Sequence, residues 1–256
     1  MDNRCNELYP SFSPFDEEFD PGNWLIDTFS DWFSFHPHPL NIKNHIKALD
    51  DITLTSLSNS FSSIIISNAS IKNHVATSIS HIHLYDKPII KTIHQVVNIT
   101  TTEAELFATC CGINQVISIP NINHIIVITD SFYAAKRIFD SLVHLYQIHL
   151  AAISCELREF FSRNSNNCIK FWDCPNKQNW PLHSLVDKDS KNFDSMPIFP
   201  CRLSWDYCKK CECDFVNSQW KMSFQVSDLK GRNFLELLDS DQNPIKPSTI
   251  KGSPWL

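Results

Sequence analysis

The first residue in this chain with the setting for chemistry is Asp130. It ends the run His124-Ile125-Ile126-Val127-Ile128-Thr129, four consecutive branched apolar residues between polar ones, the mark of a strand buried on both faces. Ser131-Phe132-Tyr133-Ala134-Ala135-Lys136 then turns helical. A carboxylate at the carboxyl end of a central strand stands where open α/β sheets place their ligands. The ordinary alternative is that Asp130 caps the following helix, a frequent role for aspartate. Which reading holds depends on the carboxylates that other elements bring to the same place.

Those elements can be read in order. Ile64-Ile65-Ile66-Ser67-Asn68, the stretch 74–82 and the stretch 89–97 are rich in β-forming residues and joined by short turns, which predicts an antiparallel meander. A helix opens near Thr102, with Leu106, Cys110, Ile113 and Ile117 on one apolar stripe. Thr102 and Glu105 fit a capping box there, and Glu103 is read as solvent-facing. After the strand at 125–129 come helices over about 131–142 and 148–162, the second with Leu150, Ile153, Leu157 and Phe161 inward. A fifth strand at 168–172 precedes a helix from about Asn179 to Lys188, with Pro181 in its first turn. Asp187 lies in that helix beside Lys188 and Asp189, so a solvated charged face is its bland reading.

Three regions result. Residues 1–60 form an acidic, aromatic, weakly ordered leader, residues 61–192 the patterned domain, and residues 193–256 an extension containing Pro and Trp with two short helices near Gln219 and Phe234. The net charge of −6 is uneven: 3 Lys+Arg face 10 Asp+Glu in residues 1–63, 11 face 10 in 64–192, and 8 face 8 in 193–256. A strong non-specific nucleic-acid binder shows a basic excess, which this chain lacks. No apolar run suits a bilayer span and the start lacks the pattern of a signal peptide, so the expected setting is intracellular, in cytoplasm or nucleus, with the ten cysteines reduced. Cys110 and Cys155 are expected on buried helix faces as small hydrophobes.

The β-β-β-α-β-α-β-α order, with acidic residues at the ends of two strands and inside two helices, resembles the ribonuclease H fold, a mixed five-stranded α/β sheet flanked by helices. Thr102-Glu103-Ala104-Glu105-Leu106-Phe107-Ala108 is similar to the family's first-helix motif, Ile126-Val127-Ile128-Thr129-Asp130-Ser131 to its fourth strand, and His183-Ser184-Leu185-Val186-Asp187 to its last-helix motif. Residues 64–192 resemble in particular the ribonuclease H-like domain that fungal non-LTR retrotransposon polyproteins carry downstream of the reverse transcriptase. The resemblance implies a metal-dependent endoribonuclease cutting the RNA strand of RNA–DNA hybrids. It also implies Glu105, Asp130 and Asp187 as ligands of two Mg²⁺ or Mn²⁺ ions, and association with a reverse transcriptase region.

One position departs from the family. Where the family carries its first catalytic Asp, this chain reads Ser67-Asn68-Ala69-Ser70. Two dications held about 3.5–4 Å apart need surrounding anionic oxygens, and Mg²⁺ prefers carboxylate to neutral amide. Asn68 thus offers an amide oxygen in place of a bridging carboxylate, and weak metal binding with strongly reduced cleavage is expected. The histidine that assists product release in the family has no counterpart in Cys174-Pro175-Asn176-Lys177-Gln178-Asn179, and His183 is read as a hydrogen-bonded surface or capping residue. The alternative function is a catalytically inactive relic that binds nucleic acid or a protein partner, or a decayed reading frame with no role.

Two further groups have bland readings. Cys201, Cys208, Cys211 and Cys213 are spaced Cys-x6-Cys-x2-Cys-x-Cys without a nearby His, which departs from paired zinc spacings, so zinc is not expected there. Lys72, Lys136, Arg137, Arg163 and Lys177 could track the backbone of a hybrid, recognised by shape and 2′-hydroxyls, but are read mainly as surface charges.

Overall fold

The computed structural model describes residues 33–37, 42–139, 148–174, 180–192, 196–201 and 204–226. The chain divides into two compact units, Met1–Tyr207 and Cys208–Leu256. In the second unit the described residues, 208–226, continue a helix that begins at Trp205. The helix expected near Gln219 is this one; the one expected near Phe234 lies outside the described residues.

The first unit is built on a seven-stranded mixed sheet. Its strands are β1 (Phe33–His36), β2 (Ser62–Lys72), β3 (Val75–Leu84), β4 (Ile90–Val97), β5 (His124–Thr129), β6 (Cys168–Asp173) and β7 (Ile198–Pro200), in spatial order β1-β6-β5-β2-β3-β4-β7. The helices are α1 (Ile42–Leu57), α2 (Thr101–Ile117), α3 (Phe132–Ile138), α4 (Ile148–Arg163), α5 (Pro181–Lys191) and α6 (Trp205–Val226). The five central strands are those expected, and their order and connections are those of a ribonuclease H-like fold. β2, β3 and β4 run antiparallel, while β5 pairs parallel with β2 and β6 parallel with β5.

The β2–β3 turn has a local cause. Lys72 pairs with Val75, leaving Asn73 and His74 as a two-residue loop with φ of 52° and 64°. Both loop residues lie in the left-handed region that a type I′ hairpin requires, and Asn tolerates it better than most residues. The meander is therefore specified locally. The parallel β5 and β6 instead depend on crossover helices.

Each sheet face buries one layer. Ile65, Ile82, Ile125, Val127, Ile169 and Phe171 pack with residues of α2, α3 and α4. Ile64, Ile66, Ile79 and Ile128 pack on the other face with Leu49 of α1, with Trp180 just before α5 and with Val186 of α5. α2 lies very close to its strands. Ser78 Oγ donates to Ala104 O at 2.9 Å and Ser80 Oγ to Ala108 O at 2.6 Å. A Cβ on Gly112 would lie 2.6 Å from Ile65 Cγ2, so only glycine permits this approach.

The flanks hold more regular structure than their composition indicated. Residues 33–36 and 42–57, read as part of a weakly ordered leader, supply β1 and α1, and residues 198–200 supply β7. β1 adds parallel to β6 and β7 parallel to β4. A four-residue and a three-residue strand are too short for a period-2 pattern to stand out, and their pairing with distant strands is a tertiary property. Of the helix expected over 131–142, residues 132–138 are helical and residues 140–142 lie outside the described residues.

Candidate catalytic carboxylate site

The site forms where β2 and β5 run side by side. Their parallel register pairs Ser67 with Thr129, so Asn68 and Asp130 each follow a paired residue on adjacent strands. β5 ends there, and Ser131 rather than Asp130 caps α3, its side chain accepting the Ala134 N–H. The capping alternative for Asp130 is thereby removed.

Glu105 reaches the same place from α2. Its expected capping role falls to its neighbour: the helix begins at Thr101, its N-cap is Thr100, and the capping box closes between Thr100 and Glu103. Glu103 is buried, not solvent-facing, because its carboxylate accepts the Thr100 N–H at 2.9 Å and the Thr100 hydroxyl at 2.7 Å. Starting the helix two residues earlier turns Glu105 onto the sheet. There its Oε1 accepts the Ala69 N–H at 2.9 Å, while Oε2 is buried with no hydrogen-bond partner. Burial foremost, then the charge of Asp130, holds the Glu105 carboxyl well above the ordinary range; the Ala69 N–H opposes this and Asp187 adds to it.

Asp187 comes from α5. Asn68 Nδ2 donates to its Oδ1 at 3.2 Å, and Lys191 Nζ lies 2.6 Å from its Oδ2. Asn68 Nδ2 also lies 3.2 Å from Ser190 Oγ, which in turn donates to Asp187 O at 2.8 Å. Asn68 is 4% exposed, so these are its surroundings rather than water. Asp130 completes the group: His183 Nε2 lies 3.5 Å from its Oδ1. His183 is buried, and the N-cap of its helix is Trp180 with no side-chain capping bond. The expectation of a surface or capping histidine is corrected, because the pitch of α5 turns residue 183 inward with Val186.

Of the four expected residues, Asn68 is hydrogen-bonded to Asp187, Glu105 is held on the backbone of Ala69 next to Asn68, and the charges of Asp130 and Asp187 both act on Glu105. Sequence reasoning missed two neighbours. Ser190 was visible only as a residue four after Val186, on the same helical face. Asp189, read as part of a solvated face, meets Lys91 at 2.6 Å and His81 at 3.0 Å across the sheet.

Whether these residues fit a pair of divalent ions is a question of free oxygens. Both oxygens of Asp187 face donors, and Glu105 Oε1 is taken by a backbone N–H. Among the described residues, Glu105 Oε2 is the one carboxylate oxygen buried without a hydrogen-bond partner. Among the described residues, no three His, Cys, Asp or Glu side chains are placed so that they could hold a metal ion. The arrangement as it stands does not fit a two-ion centre. The cysteine group divides likewise: Cys201 is buried with its sulfur 3.7 Å from His149 Nε2, and Cys208, Cys211 and Cys213 are exposed on α6.

The basic residues also separate. Arg137 pairs with Asp206 at 2.8 Å, and Arg163 donates to Ile117 O at 2.7 Å and pairs with Glu159. Lys72 and Lys136 are exposed, and Lys177 lies outside the described residues. Lys72 and Lys191 line a hollow of about 390 Å³ beside the carboxylates, with Ser70, Thr77, Gln95 and Ser190. No helix among the described residues is long and apolar enough to cross a membrane.

No family model matches this chain, and no curated protein matches it. Among solved structures it is similar to the N-terminal RNase H domain of a Mycobacterium tuberculosis protein, solved as a fusion with maltose binding protein. That match has 14% identity and a TM-score of 0.39, covering 52% of this chain and 95% of that one. It is also similar to RNase H1 of the halophilic archaeon Halobacterium salinarum, at 14% identity and a TM-score of 0.36, covering 50% of this chain and 98% of that one. The strand order, not these distant likenesses, carries the fold assignment.

Proposed function

We propose that this chain is a retroelement-derived ribonuclease H-type domain that engages RNA–DNA hybrids, with cleavage of the RNA strand severely impaired by Asn68. The observation that supports this reading is that the Asn68 amide donates to Asp187 while the charges of Asp130 and Asp187, from two other elements, act on the buried Glu105. A cluster of carboxylates at the carboxyl end of a central strand is costly to assemble and suits an active site better than a structural role. The Lys72 and Lys191 hollow beside it supports contact with a phosphate backbone. Its expected setting is inside the cell, beside a reverse transcriptase region, and cleavage would require Mg²⁺ or Mn²⁺.

A second reading has its own observation. Asp187 already has donors at both oxygens, which favours a catalytically inactive relic that binds nucleic acid or a protein partner. The deciding experiment is cleavage of a labelled RNA–DNA hybrid in Mg²⁺ and in Mn²⁺. It compares the native chain, Asn68→Asp, and Asn68→Asp combined with Asp130→Asn. The nuclease reading expects little or no cutting by the native chain, a gain on Asn68→Asp, and loss of that gain with Asp130→Asn. Hybrid binding by every folded version without cutting by any supports the relic.

A further inference from the structure

The disagreement between this site and a two-cation centre has a definite pattern, and the pattern gives Asn68 a role of its own. A carboxylate can only accept, so the Asn68 group facing Asp187 Oδ1 must be the amide N–H₂. The same nitrogen reaches Ser190 Oγ at 3.2 Å, Ser190 Oγ donates to Asp187 O at 2.8 Å, and Ser70 Oγ donates to Ser190 O at 2.7 Å. These bonds fasten the last turns of α5 to β2, and Lys191 supplies a positive charge to Asp187 from the outer side. Both hydrogen bonds from residue 68 require a donor. A deprotonated aspartate there would provide none, and would set a buried carboxylate against Asp187 and near Glu105.

We propose that Asn68 is a built-in replacement for a cation: its amide seats α5 on β2 and makes the folded carboxylate site independent of divalent ions. This rests on the site assignment of the preceding reading and not on hybrid cleavage. Repulsion among the acidic groups, which a bound cation would otherwise relieve, is relieved here by a neutral donor and by Lys191. Residue 68 is then a positioning residue for α5, whatever chemistry remains.

The test is thermal melting of the full chain in excess EDTA and in millimolar Mg²⁺, for the native protein, Asn68→Asp and Asn68→Ala. The native protein should melt at one temperature in both buffers. Asn68→Asp should melt several degrees lower in EDTA and regain most of that loss in Mg²⁺, because aspartate removes the donor and creates the need for a cation. Asn68→Ala should melt lower in both buffers, since it loses the donor without adding charge. A native melting temperature that rises with Mg²⁺, an Asn68→Asp protein as stable as native in EDTA, or an Asn68→Ala protein with no loss would each overturn the proposal. If Asn68→Asp does not fold in EDTA, refolding on addition of Mg²⁺ supports the proposal and continued failure overturns it. The melts contain no nucleic acid, so absent hybrid cleavage leaves their outcome untouched.

Discussion

Gly112→Ala is expected to loosen the contact on which Glu105 depends. Gly112 follows Glu105 by seven residues, two turns along the same face of α2. An added Cβ would lie 2.6 Å from Ile65 Cγ2 and 3.1 Å from both Cβ and Oγ of Ser80. The first distance is roughly 1 Å short of an ordinary carbon–carbon contact. Ile65 and Ser80 are fully buried on adjacent strands, so the strain is relieved mainly by withdrawal of the helix. Withdrawal stretches the Ser78 and Ser80 bonds to α2, each worth about 1 kcal/mol. Overpacking adds about 1–3 kcal/mol. Against this stands a gain of about 1 kcal/mol for replacing a helical glycine by alanine. The net loss is about 2–4 kcal/mol, a fall in Tm of roughly 4–16 °C for a domain of this size. Urea denaturation and thermal melting measure it directly. In an Ile65→Ala background, which deletes the struck methyl, Gly112→Ala should be less damaging than in the native protein. A Gly112→Ala protein as stable as native or more so would refute the close seating of α2 on β2 and β3.

Three more perturbations follow from the same contacts. Glu105→Gln keeps an acceptor for the Ala69 N–H and removes a carboxyl held well above its usual range by burial and by Asp130. The folded state keeps that proton longer than the unfolded chain, so native stability should fall as pH rises above the ordinary Glu range; Glu105→Gln should flatten the fall in denaturation curves taken across pH. His149 shows the opposite sign. Burial brings its pKa down to about 4, so its contribution is complete above the ordinary histidine value and is lost as pH falls towards 4. His149→Gln should make that acid limb shallower by roughly 3 kcal/mol at most, read by urea titration at successive pH values. Thr100→Ala removes the side-chain half of the α2 cap and should lower stability by about 1 kcal/mol, whereas Thr102→Ala should change it little.

The sequence by itself determined the core of the sheet and where in its elements the candidate site residues stand. Branched apolar runs marked β2 and β5, and β-rich stretches with short turns marked the meander, because burial and the strand period act on neighbouring residues. Asn68, Glu105, Asp130 and Asp187 were legible because each sits at a fixed place in its own element, a strand end or a helix turn. The limits of local reading appear at Thr102: Thr100 with Glu103 and Thr102 with Glu105 give two possible capping boxes two residues apart. Only the packing of α2 on the sheet selects Thr100 and Glu103, which frees Glu105 to meet Ala69. Tertiary structure alone also decided that β1 and β7 extend the sheet, that His183 faces Asp130, and that Ser70 and Ser190 join Asn68 in seating α5. These pairings link residues more than fifty positions apart, or strands too short to show a period. Their energies come from which surfaces meet, and that is fixed only when the whole sheet has formed.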